Sequence, residues 1–357
     1  IDMKLIKITL YLSILLLSNA IYSNDVILKD LITLDEPWGI SFIDENQLII
    51  TEKKGDIKLF NILEKQIYSL EHNLKISSVG QGGLLDIIYK NEFVYVSYSE
   101  KINNKSSTSI GVAKYNNQFL DFTNIFRAQP SIKSGFHFGS RIVIKDNYLY
   151  ASIGERGKGI IAQDPKQHPG SIIRIHLDGT IPLDNPKYDG NKEWAKELYQ
   201  IGIRNPQGMA LSPFNSKIYI SNHGAKGGDW FGEVTKGENY GWPILGWGGT
   251  NYSGSKIGPK WKEGFKKPIY YWVPSIAISA IAIYKGKEFN KWNGHALITS
   301  LKDQSLRKLV FTEHNNIKED IIFSNKIGRI RDIEIHPISG KIILLSSNKL
   351  WIMENKN

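Results

Sequence analysis

A histidine stands at the start of an alternating apolar run. Residues 134–144 read SGFHFGSRIVI, with His137 between two phenylalanines and with Gly, Ser and Arg after the second phenylalanine. Histidine is the side chain whose ordinary pKa lies nearest to neutral pH, so it can take or give a proton under physiological conditions. A loop that precedes a strand also lies at an edge of its sheet, where a ligand can reach it. His137 is therefore a candidate for proton transfer, and the alternative is an ordinary loop histidine.

Several cations occur in similar positions at the beginnings or ends of apolar runs. Arg204 and Asn205 lie in IGIRNPQGMAL, Lys302 in TSLKDQS, and Arg329 and Arg331 in GRIRDI. Two residues that are two positions apart on a strand share one face. If these loops converge, the cations line one pocket that favours an anionic ligand. Taken singly, alternating arginines more often belong to a solvated or salt-bridged face.

A glycine-rich loop adds a different kind of ligand. In SNHGAKGGDW, the backbone carbonyls of Gly224 and Ala225 can serve a hard cation such as calcium, while Asp229 is a candidate for orienting the loop. Gln81 lies between glycines in SVGQGGLLDI, directly before another apolar run. Each loop alone is explained by a tight turn. An anionic, flat, metal-chelating cofactor would satisfy both the cations and the carbonyls.

The elements that must position these residues are strands. After about residue 25 the chain repeats one pattern, an alternating strand, a turn and a further strand, from QLIITEKKGDIKLFNI to IRDIEIHPISGKIILLSSNKLWIMEN. Six repeats over about 330 residues give roughly 55 residues each, which suits four-stranded blades. The pattern predicts an all-β, six-bladed β-propeller, with DVILKDLITL completing the last blade. A pair of β-sandwiches is the alternative, and NKEWAKELYQIG is the one helix candidate.

The amino-terminal segment has the features of a secretory signal peptide. Met3 is followed by two lysines, by the apolar run ITLYLSILLLS and by small residues around Ala20 and Ser23, while Ile1 and Asp2 precede the expected start. We expect residues 1–23 to be the signal peptide and residues 24–357 to form a single propeller domain, with an uncleaved anchor as the alternative. A periplasmic or secreted protein without stable membrane insertion after cleavage follows. Cysteine is absent, so no disulfides are expected.

Composition argues against a disordered chain and against a nucleic-acid-binding protein. Hydrophobic residues make up 41% and charged residues 22% of the 357-residue chain, values that are ordinary for a folded globular protein. The formal net charge is +10, but the lysines are scattered and form no basic arm or nucleic-acid-binding motif. We therefore expect no nucleic-acid partner.

A colinear set of motifs carries a family resemblance. PWGISF, GQGGLLDI, HFGSR, AQDPKQHPGSIIRIHLDGTIPLDNP, IRNPQGMAL, HGAKGGD, NYGWP, SLK and RIRD occur in this order from Pro37 to the last strand. The set resembles the soluble aldose sugar dehydrogenases of the pyrroloquinoline-quinone (PQQ)-dependent glucose/sorbosone dehydrogenase family. The resemblance implies a six-bladed propeller that oxidises aldose sugars at C1 to lactones, with PQQ and Ca²⁺ as cofactors. It also implies an external electron acceptor and a monomer or homodimer.

The resemblance assigns roles to individual residues. His137 matches the general base that takes the proton of the sugar C1 hydroxyl while hydride passes to PQQ, and Arg204 is assigned to catalysis beside it. Gly224 and Ala225 match the carbonyls that ligate the active-site calcium together with the quinone. The positions that hold the cofactor or shape the pocket are Gln81, Arg204, Asn205, Tyr252, Lys302, Arg329 and Arg331.

The metal loop departs from the family pattern. The family reads His-Gly-Pro-Arg-Gly-Gly-Asp-Glu where this chain reads HGAKGGDW, so Ala225 replaces a proline but keeps the carbonyl. Trp230 stands where an acidic residue often ligates a second, structural calcium together with the tyrosine matched by Tyr240. Tryptophan cannot coordinate calcium through its side chain. Tyr240 remains the candidate ligand of this second site, and whether the chain retains that site is an open question at this point.

Two other functions remain alternatives. One is a non-enzymatic propeller that binds sugars or proteins, because the same fold serves as a recognition platform. The other is a lactonase-type calcium hydrolase, which would need inward-facing carboxylates that the glycine-rich loops do not provide. Retention of the base, the cationic set and the metal loop together favours the dehydrogenase.

Overall fold

The computed structural model describes residues 20–22, 25–188, 190, 192–312 and 316–356. Their strands form six sheets arranged around a central channel, antiparallel except where Phe119–Leu120 pairs parallel with Gln66–His72. The only helical segments in this part of the chain are the short 3-10 turns Gly159–Gln163 and Asn290–Trp292. The prediction of an all-β, six-bladed propeller is confirmed. Within the same residues, no helix has the length and apolar character needed to cross a membrane.

Each blade is numbered from the amino terminus, and its strands run in order from the channel outward. Blade 1 comprises Pro37–Phe42, Gln47–Glu52, Ile57–Asn61 and Gln66–His72, and Phe119–Leu120 pairs with the outermost of these. Blade 2 comprises Leu84–Lys90, Phe93–Ile102, Lys105–Lys114 and Thr123–Arg127, and blade 3 comprises Gly139–Lys145, Tyr148–Ile153, Ser171–His176 and Leu198–Gln200. Blade 4 comprises Pro206–Leu211, Ile218–Asn222, Asp229–Glu233 and Tyr270–Trp272, and blade 5 comprises Ile278–Ile283, Ala296–Ser300, Ser305–Phe311 and Ile317–Ser324.

Blade 6 joins the two ends of the chain. Asp332–Ile335, Ile342–Leu345 and Lys349–Asn355 are completed by the amino-terminal strand Val26–Thr33, which pairs antiparallel with Lys349–Asn355. The prediction that DVILKDLITL closes the ring is confirmed. Ala20–Tyr22 adds a further strand at the outer edge. The rest of the predicted signal peptide, residues 1–19 and 23, lies outside the described residues.

The core consists of one apolar cluster at each interface between neighbouring blades. Blades 6 and 1, for example, bury Ile343 and Leu345 against Leu48 and Ile50, all with no exposed surface. Alternation along each strand supplies such residues on both faces, because each blade packs against two neighbours. Burial of one such side chain stabilises the fold by about 1.5–3 kcal/mol. The ring of clusters holds the innermost strands in register around the channel.

The helix prediction for NKEWAKELYQIG is wrong. Leu198–Gln200 is instead the outermost strand of blade 3, with Leu198 opposite Ile173. Trp194 and Leu198 are both buried in the apolar cluster between blades 2 and 3. Packing of these side chains against the neighbouring blade outweighs a short helical propensity.

Candidate active site

The candidate residues meet at one face of the propeller. Strand direction alternates in each blade, so the loop before the innermost strand and the loop between the second and third strands open on the same face. A cavity of about 450 Å³ lies there, at the mouth of the central channel. Its walls include seven of the predicted site residues, Gln81, His137, Arg204, Asn205, Tyr252, Arg329 and Arg331, together with Trp38, Gln207 and His223.

The loop that carries His137 has an unusual backbone conformation. His137 has a positive φ of 48°, and its N–H donates to Oε1 of Gln81 at 2.8 Å. Its carbonyl packs so closely on Gly154 that a side chain at Gly154 would overlap it. The glycine and the glutamine therefore hold the histidine in a conformation that few non-glycine residues adopt.

Glu155 orients the His137 ring. One carboxylate oxygen of Glu155 is hydrogen-bonded to Nδ1 of His137, and the other accepts the N–H of Gly159 at 2.5 Å. An ionised carboxylate only accepts, so Nδ1 carries the proton and Nε2 keeps its lone pair. Burial is the largest influence on the pKa of His137 and lowers it, assisted by Arg204 and opposed by Glu155. The imidazole is therefore neutral, and able to accept a proton, at neutral pH.

Sequence reasoning missed Glu155. Gly139 pairs with Ile153 in the first hairpin of blade 3. His137 lies two residues before Gly139 and Glu155 two residues after Ile153, so both lie at the same open end of this hairpin. The signal that would have found the residue is this hairpin register, with an acidic residue placed two positions beyond the second strand. Glu155 is 2% exposed, and hydrogen bonds and charge from His137 hold its pKa below the ordinary value despite burial.

Arg156 is a second residue that the sequence did not reveal. It is buried, and its guanidinium donates to the carbonyls of Phe136 at 3.0 Å, Ser106 at 2.9 Å and Ser134 at 2.5 Å. The same group lies over the ring of Phe138, 3.7 Å from its centroid. Burial lowers the pKa of Arg156 to about 10. The residue clamps the loop that presents His137 from behind.

Three arginines in the cavity lack acidic partners. Arg204 is 8% exposed and donates only weakly, at 3.4 Å, to the carbonyl of His223, while Arg329 donates at 3.4 Å to the carbonyl of Leu301. Arg331 donates to Oε1 of Gln207 at 2.6 Å, and burial together with Arg329 lowers its pKa to about 10. Among the described residues, no carboxylate lies within ion-pair distance of any of the three. Uncompensated guanidinium groups of this kind favour an anionic ligand.

The glycine-rich loop beside the cavity is held by Asp229. This carboxylate is fully buried and accepts the N–H of Gly224 at 2.8 Å, the hydroxyl of Ser275 at 2.8 Å and the N–H of Ile278 at 3.0 Å. Burial raises the pKa of Asp229, and the donors oppose that shift. Asp229 thus orients the loop, as the sequence suggested, and its oxygens are already occupied by donors.

The carbonyls of this loop remain available. Within the described chain, no N–H or hydroxyl group donates to the carbonyl oxygen of Gly224 or Ala225. The described residues also contain no group of three His, Asp or Glu side chains suited to a metal ion. Buried carbonyls normally have partners. Backbone oxygens are therefore the protein ligands that this site can offer to a hard cation.

His223 supports the same interpretation. Its Nε2 is buried without a hydrogen-bond partner among the described residues, although the ring lines the cavity. Burial and the charge of Arg204 lower its pKa well below the ordinary value, so the ring is neutral. An orphaned ring nitrogen and unpaired arginines at the cavity, with free carbonyls in the two residues that follow His223, fit an anionic group that chelates a metal.

Four predicted site residues are not among those that line the cavity: Gly224 and Ala225, which directly follow His223, and Lys302 and Tyr240. Lys302 is exposed beside the cavity, and its Nζ donates to the carbonyl of Ser275 at 3.3 Å. Tyr240 lies in the core and stacks on Trp230 with ring centroids 4.1 Å apart. The Tyr240 hydroxyl donates to the carbonyl of Glu233 at 2.8 Å and accepts the N–H of the same residue at 2.9 Å. A calcium site at Tyr240 stays a prediction.

Arg141, also adjacent to the histidine motif, has a structural position below the cavity. Its Nη1 lies 2.8 Å from both Asp86 and Asp332, which come from two other blades. The ring of Trp38 packs near both Arg141 and Arg331, with guanidinium carbons 4.6 Å and 5.7 Å from its centroid. This cluster of charged and aromatic side chains packs beneath the arginines that line the cavity.

Comparisons with known proteins agree with this arrangement. The Glucose / Sorbosone dehydrogenase family model matches residues 34–351. Aldose sugar dehydrogenase YliI of Escherichia coli (strain K12) is 33% identical over 341 residues, which cover 91% of each chain. Quinoprotein glucose dehydrogenase B of Acinetobacter calcoaceticus is 27% identical over 88% of this chain and 83% of that protein.

A solved structure extends the similarity to the backbone. The soluble aldose sugar dehydrogenase from Escherichia coli, crystallised in the apo-form, matches with a TM-score of 0.87 and 31% identity, covering 93% of this chain and 100% of that one. The family match spans all six blades and includes every loop that lines the cavity. The chain belongs to the Glucose / Sorbosone dehydrogenase family.

Proposed function

We propose that this protein is a PQQ- and calcium-dependent oxidoreductase that oxidises aldose sugars at C1 to lactones. Its family and its relatives named as an aldose sugar dehydrogenase and a quinoprotein support the reaction class. The observation that carries the proposal is one cavity in which an oriented, neutral His137 lies beside three arginines that have no acidic partners. A base and an anion-binding wall are what this oxidation requires of the protein.

The site residues divide between the cofactor and the sugar. Carbonyls of Gly224 and Ala225 would hold calcium, and PQQ bound to it would supply a two-electron acceptor for the hydride of C1. Residues that would hold the cofactor or shape the sugar pocket are Gln81, Arg204, Asn205, Tyr252, Lys302, Arg329 and Arg331. The arginine side chains would neutralise carboxylates of the cofactor, and the neutral ring of His223 faces the same space.

His137 removes the proton of the C1 hydroxyl. Its free Nε2 accepts this proton while the C1 hydride leaves, so two electrons and two protons leave the sugar in total. Glu155 holds the ring by Nδ1 and stabilises the imidazolium as it forms. Burial, with a smaller contribution from Arg204, lowers the pKa of the resting imidazole and keeps it unprotonated, and the charge of Arg204 would stabilise negative charge that develops on the reacting atoms.

The biological setting belongs to the same proposal. The signal-like amino terminus supports export to the periplasm or outside the cell, where an external acceptor would remove the electrons. The alternative is a non-enzymatic propeller that binds sugars or proteins. Such a binding module does not need a histidine base buried against a carboxylate, and the reconstitution described next distinguishes the two.

The test is reconstitution of residues 24–357 purified without cofactor. Calcium and PQQ are added, and dye reduction is followed with a panel of aldoses. We expect turnover that needs both additions and that falls at least about 10²-fold in His137→Ala. His336→Ala, which changes a histidine at the opposite end of blade 6, is the matched control and should retain activity. Failure to bind PQQ would contradict the proposal and favour the binding module.

A further inference from the structure

A long loop of blade 4 reaches the cavity from the far side of the propeller. Asp229 pairs with Trp272 and Phe231 with Tyr270, so residues 234–269 leave and re-enter the blade at the face opposite His223. Nevertheless Tyr252, within this loop, lines the cavity, and the carbonyl of Thr250 accepts the N–H of Lys226 at 3.0 Å. The loop therefore climbs the outer edge of blade 4 to the mouth of the cavity.

This loop and the outer strand of blade 4 enclose a second cavity, which we call the basic-aromatic groove. It has a volume of about 870 Å³, and its walls include Trp247, Lys260, Trp261, Lys267, Tyr271 and Val273. Trp261 is 39% exposed and Val273 52% exposed. A contiguous exposed apolar patch that is rimmed by polar residues marks an interaction surface.

The charge of the groove has one sign. Residues 256–267 contain five lysines and one glutamate, and within the described chain none of the five lysines forms an ion pair with a carboxylate. Lys267 lies over the ring of Trp261 at 3.9 Å, and Lys260 lies over Tyr271 at 4.6 Å. The aromatic rings thus hold two ammonium groups at the surface. A partner with an acidic surface would be attracted here.

The groove and the proposed metal loop share one wall. A side chain on Gly227 would meet Cα of Gly249 at 3.2 Å and Cγ1 of Val273 at 3.3 Å. The N–H of Gly228 also donates to the carbonyl of Trp272 at 2.8 Å. A single layer of backbone therefore separates the groove from the loop that carries Gly224 and Ala225. A protein seated in the groove would be close to the site where sugar is oxidised.

We propose that the basic-aromatic groove docks an acidic one-electron carrier protein. This inference rests on the proposed dehydrogenase function, because each oxidised aldose releases two electrons and two protons. Two oxidised carrier molecules would each accept one electron in successive encounters, and the two protons would pass to solvent. Redox encounters of this kind use small interfaces and are accelerated by opposite charge. Unpaired lysines around exposed aromatic side chains supply both features.

The experiment compares two acceptors for the reconstituted enzyme. Oxidised plastocyanin, a small blue-copper protein with an acidic surface, serves as the protein acceptor, and its loss of blue colour reports electron transfer. A dye serves as the small acceptor. We expect Lys260→Glu/Lys267→Glu to lower the second-order rate with plastocyanin about tenfold or more, while kcat/KM with the dye stays within about twofold. High salt should slow the wild type toward the variant.

Two further variants control for folding and for general charge. Lys256→Glu/Lys262→Glu changes exposed lysines of the same loop that touch no aromatic ring and should give a similar loss. Lys90→Glu/Lys114→Glu places the same charges at the opposite face, where blade 2 strands end, and should change neither rate. Dye turnover in the wild type tests the proposed function separately, so that its failure is distinguished from failure of the docking site.

Two results would overturn the docking site. Equal plastocyanin rates in all variants would show that these lysines do not guide the carrier. Binding to phosphatidylglycerol vesicles that is lost in Lys260→Glu/Lys267→Glu, with unchanged plastocyanin rates, would assign the groove to an anionic membrane surface instead.

Discussion

Two buried carboxylates beneath the cavity share one arginine, and we expect this excess of negative charge to make stability depend on pH. Nη1 of Arg141 contacts Asp86 and Asp332 at 2.8 Å each, and the three side chains are nearly inaccessible to solvent. Asp86 also accepts the N–H of Ile142 at 2.7 Å. Burial and the neighbouring Asp332 outweigh the attraction of Arg141 and raise the pKa of Asp86 to about 6. Asp86 therefore carries the surplus charge.

The expected magnitudes differ strongly between two substitutions. Holding Asp86 ionised above pH 6 costs about 3 kcal/mol, because its pKa in the unfolded chain is about 3.9. Asp86→Asn removes that cost but gives up a charge-assisted hydrogen bond with Arg141 worth about 1.5–3 kcal/mol, so we expect a net change of no more than about 1.5 kcal/mol at pH 7.5. Arg141→Met leaves two buried carboxylates without a cation and should lower the free energy of unfolding by about 3–5 kcal/mol.

The sign of the pH dependence follows from the raised pKa. Between about pH 4 and pH 6 the folded state holds a proton on Asp86 that the unfolded chain has released, so stability falls as pH rises through this range. Asp86→Asn lacks this contribution. From pH 7.5 to pH 5 the wild type should therefore gain about 1 kcal/mol relative to the variant.

Guanidinium unfolding followed by tryptophan fluorescence measures both effects, with equal m-values confirming that the same transition is compared. Arg141→Met/Asp86→Asn completes the cycle and should recover part of the loss, because one buried carboxylate is then neutral. The reasoning is refuted if Asp86→Asn destabilises as much as Arg141→Met. It is also refuted if the difference between wild type and Asp86→Asn is independent of pH.

Three predictions concern the catalytic face. Glu155→Gln should lower kcat about 10²-fold and shift the acidic limb of the kcat/KM profile to lower pH. The shift is expected because loss of the carboxylate charge lowers the pKa of His137 further. An unshifted profile would show that Glu155 does not act on His137. Arg156→Met should lower kcat by a similar factor with little change in PQQ affinity, because the loop that carries His137 loses its hydrogen bonds to Arg156. Arg156→Lys should recover part of the lost kcat. Parallel losses of kcat and PQQ affinity would indicate that the whole site is disrupted. Asp229→Asn should weaken calcium affinity about 10-fold to 10²-fold in a calcium titration. An amide has one oxygen and cannot accept all the hydrogen bonds by which Asp229 holds the loop at Gly224. Unchanged affinity would exclude a role of Asp229 in positioning this loop.

The fold was predictable because its signal is local and repeated. Alternation within strands and turns between them recur six times, and stacking six such sheets around a ring buries both faces of each. The amino-terminal strand was predictable for the same reason, since the sixth repeat supplies only three strands of its own. The helix assigned around Leu198 failed because the deciding contact, with Ile173 of a neighbouring strand, is not encoded within the segment.

The cationic wall was predictable and the ring of contacts behind it was not. Arg204, Arg329 and Arg331 come just before innermost strands, and the propeller geometry brings the beginnings of all innermost strands to one face. Tyr252 reaches that face only because its loop climbs the side of blade 4, and no spacing in the sequence indicates such a path. The family resemblance supplied that residue.

Glu155 and Arg156 show why supporting residues escape a sequence-based search. Each lies in a short turn with no motif around it, and each acts on a loop about twenty residues earlier in the chain. Their partners are mostly backbone carbonyls or a single ring nitrogen, which leave no characteristic residue pair in the sequence. A histidine with a positive φ, however, needs contacts on several sides to stay in place. Gln81, Gly154, Glu155 and Arg156 provide those contacts, so the conformation of His137 is set by residues from two other segments rather than by its own motif.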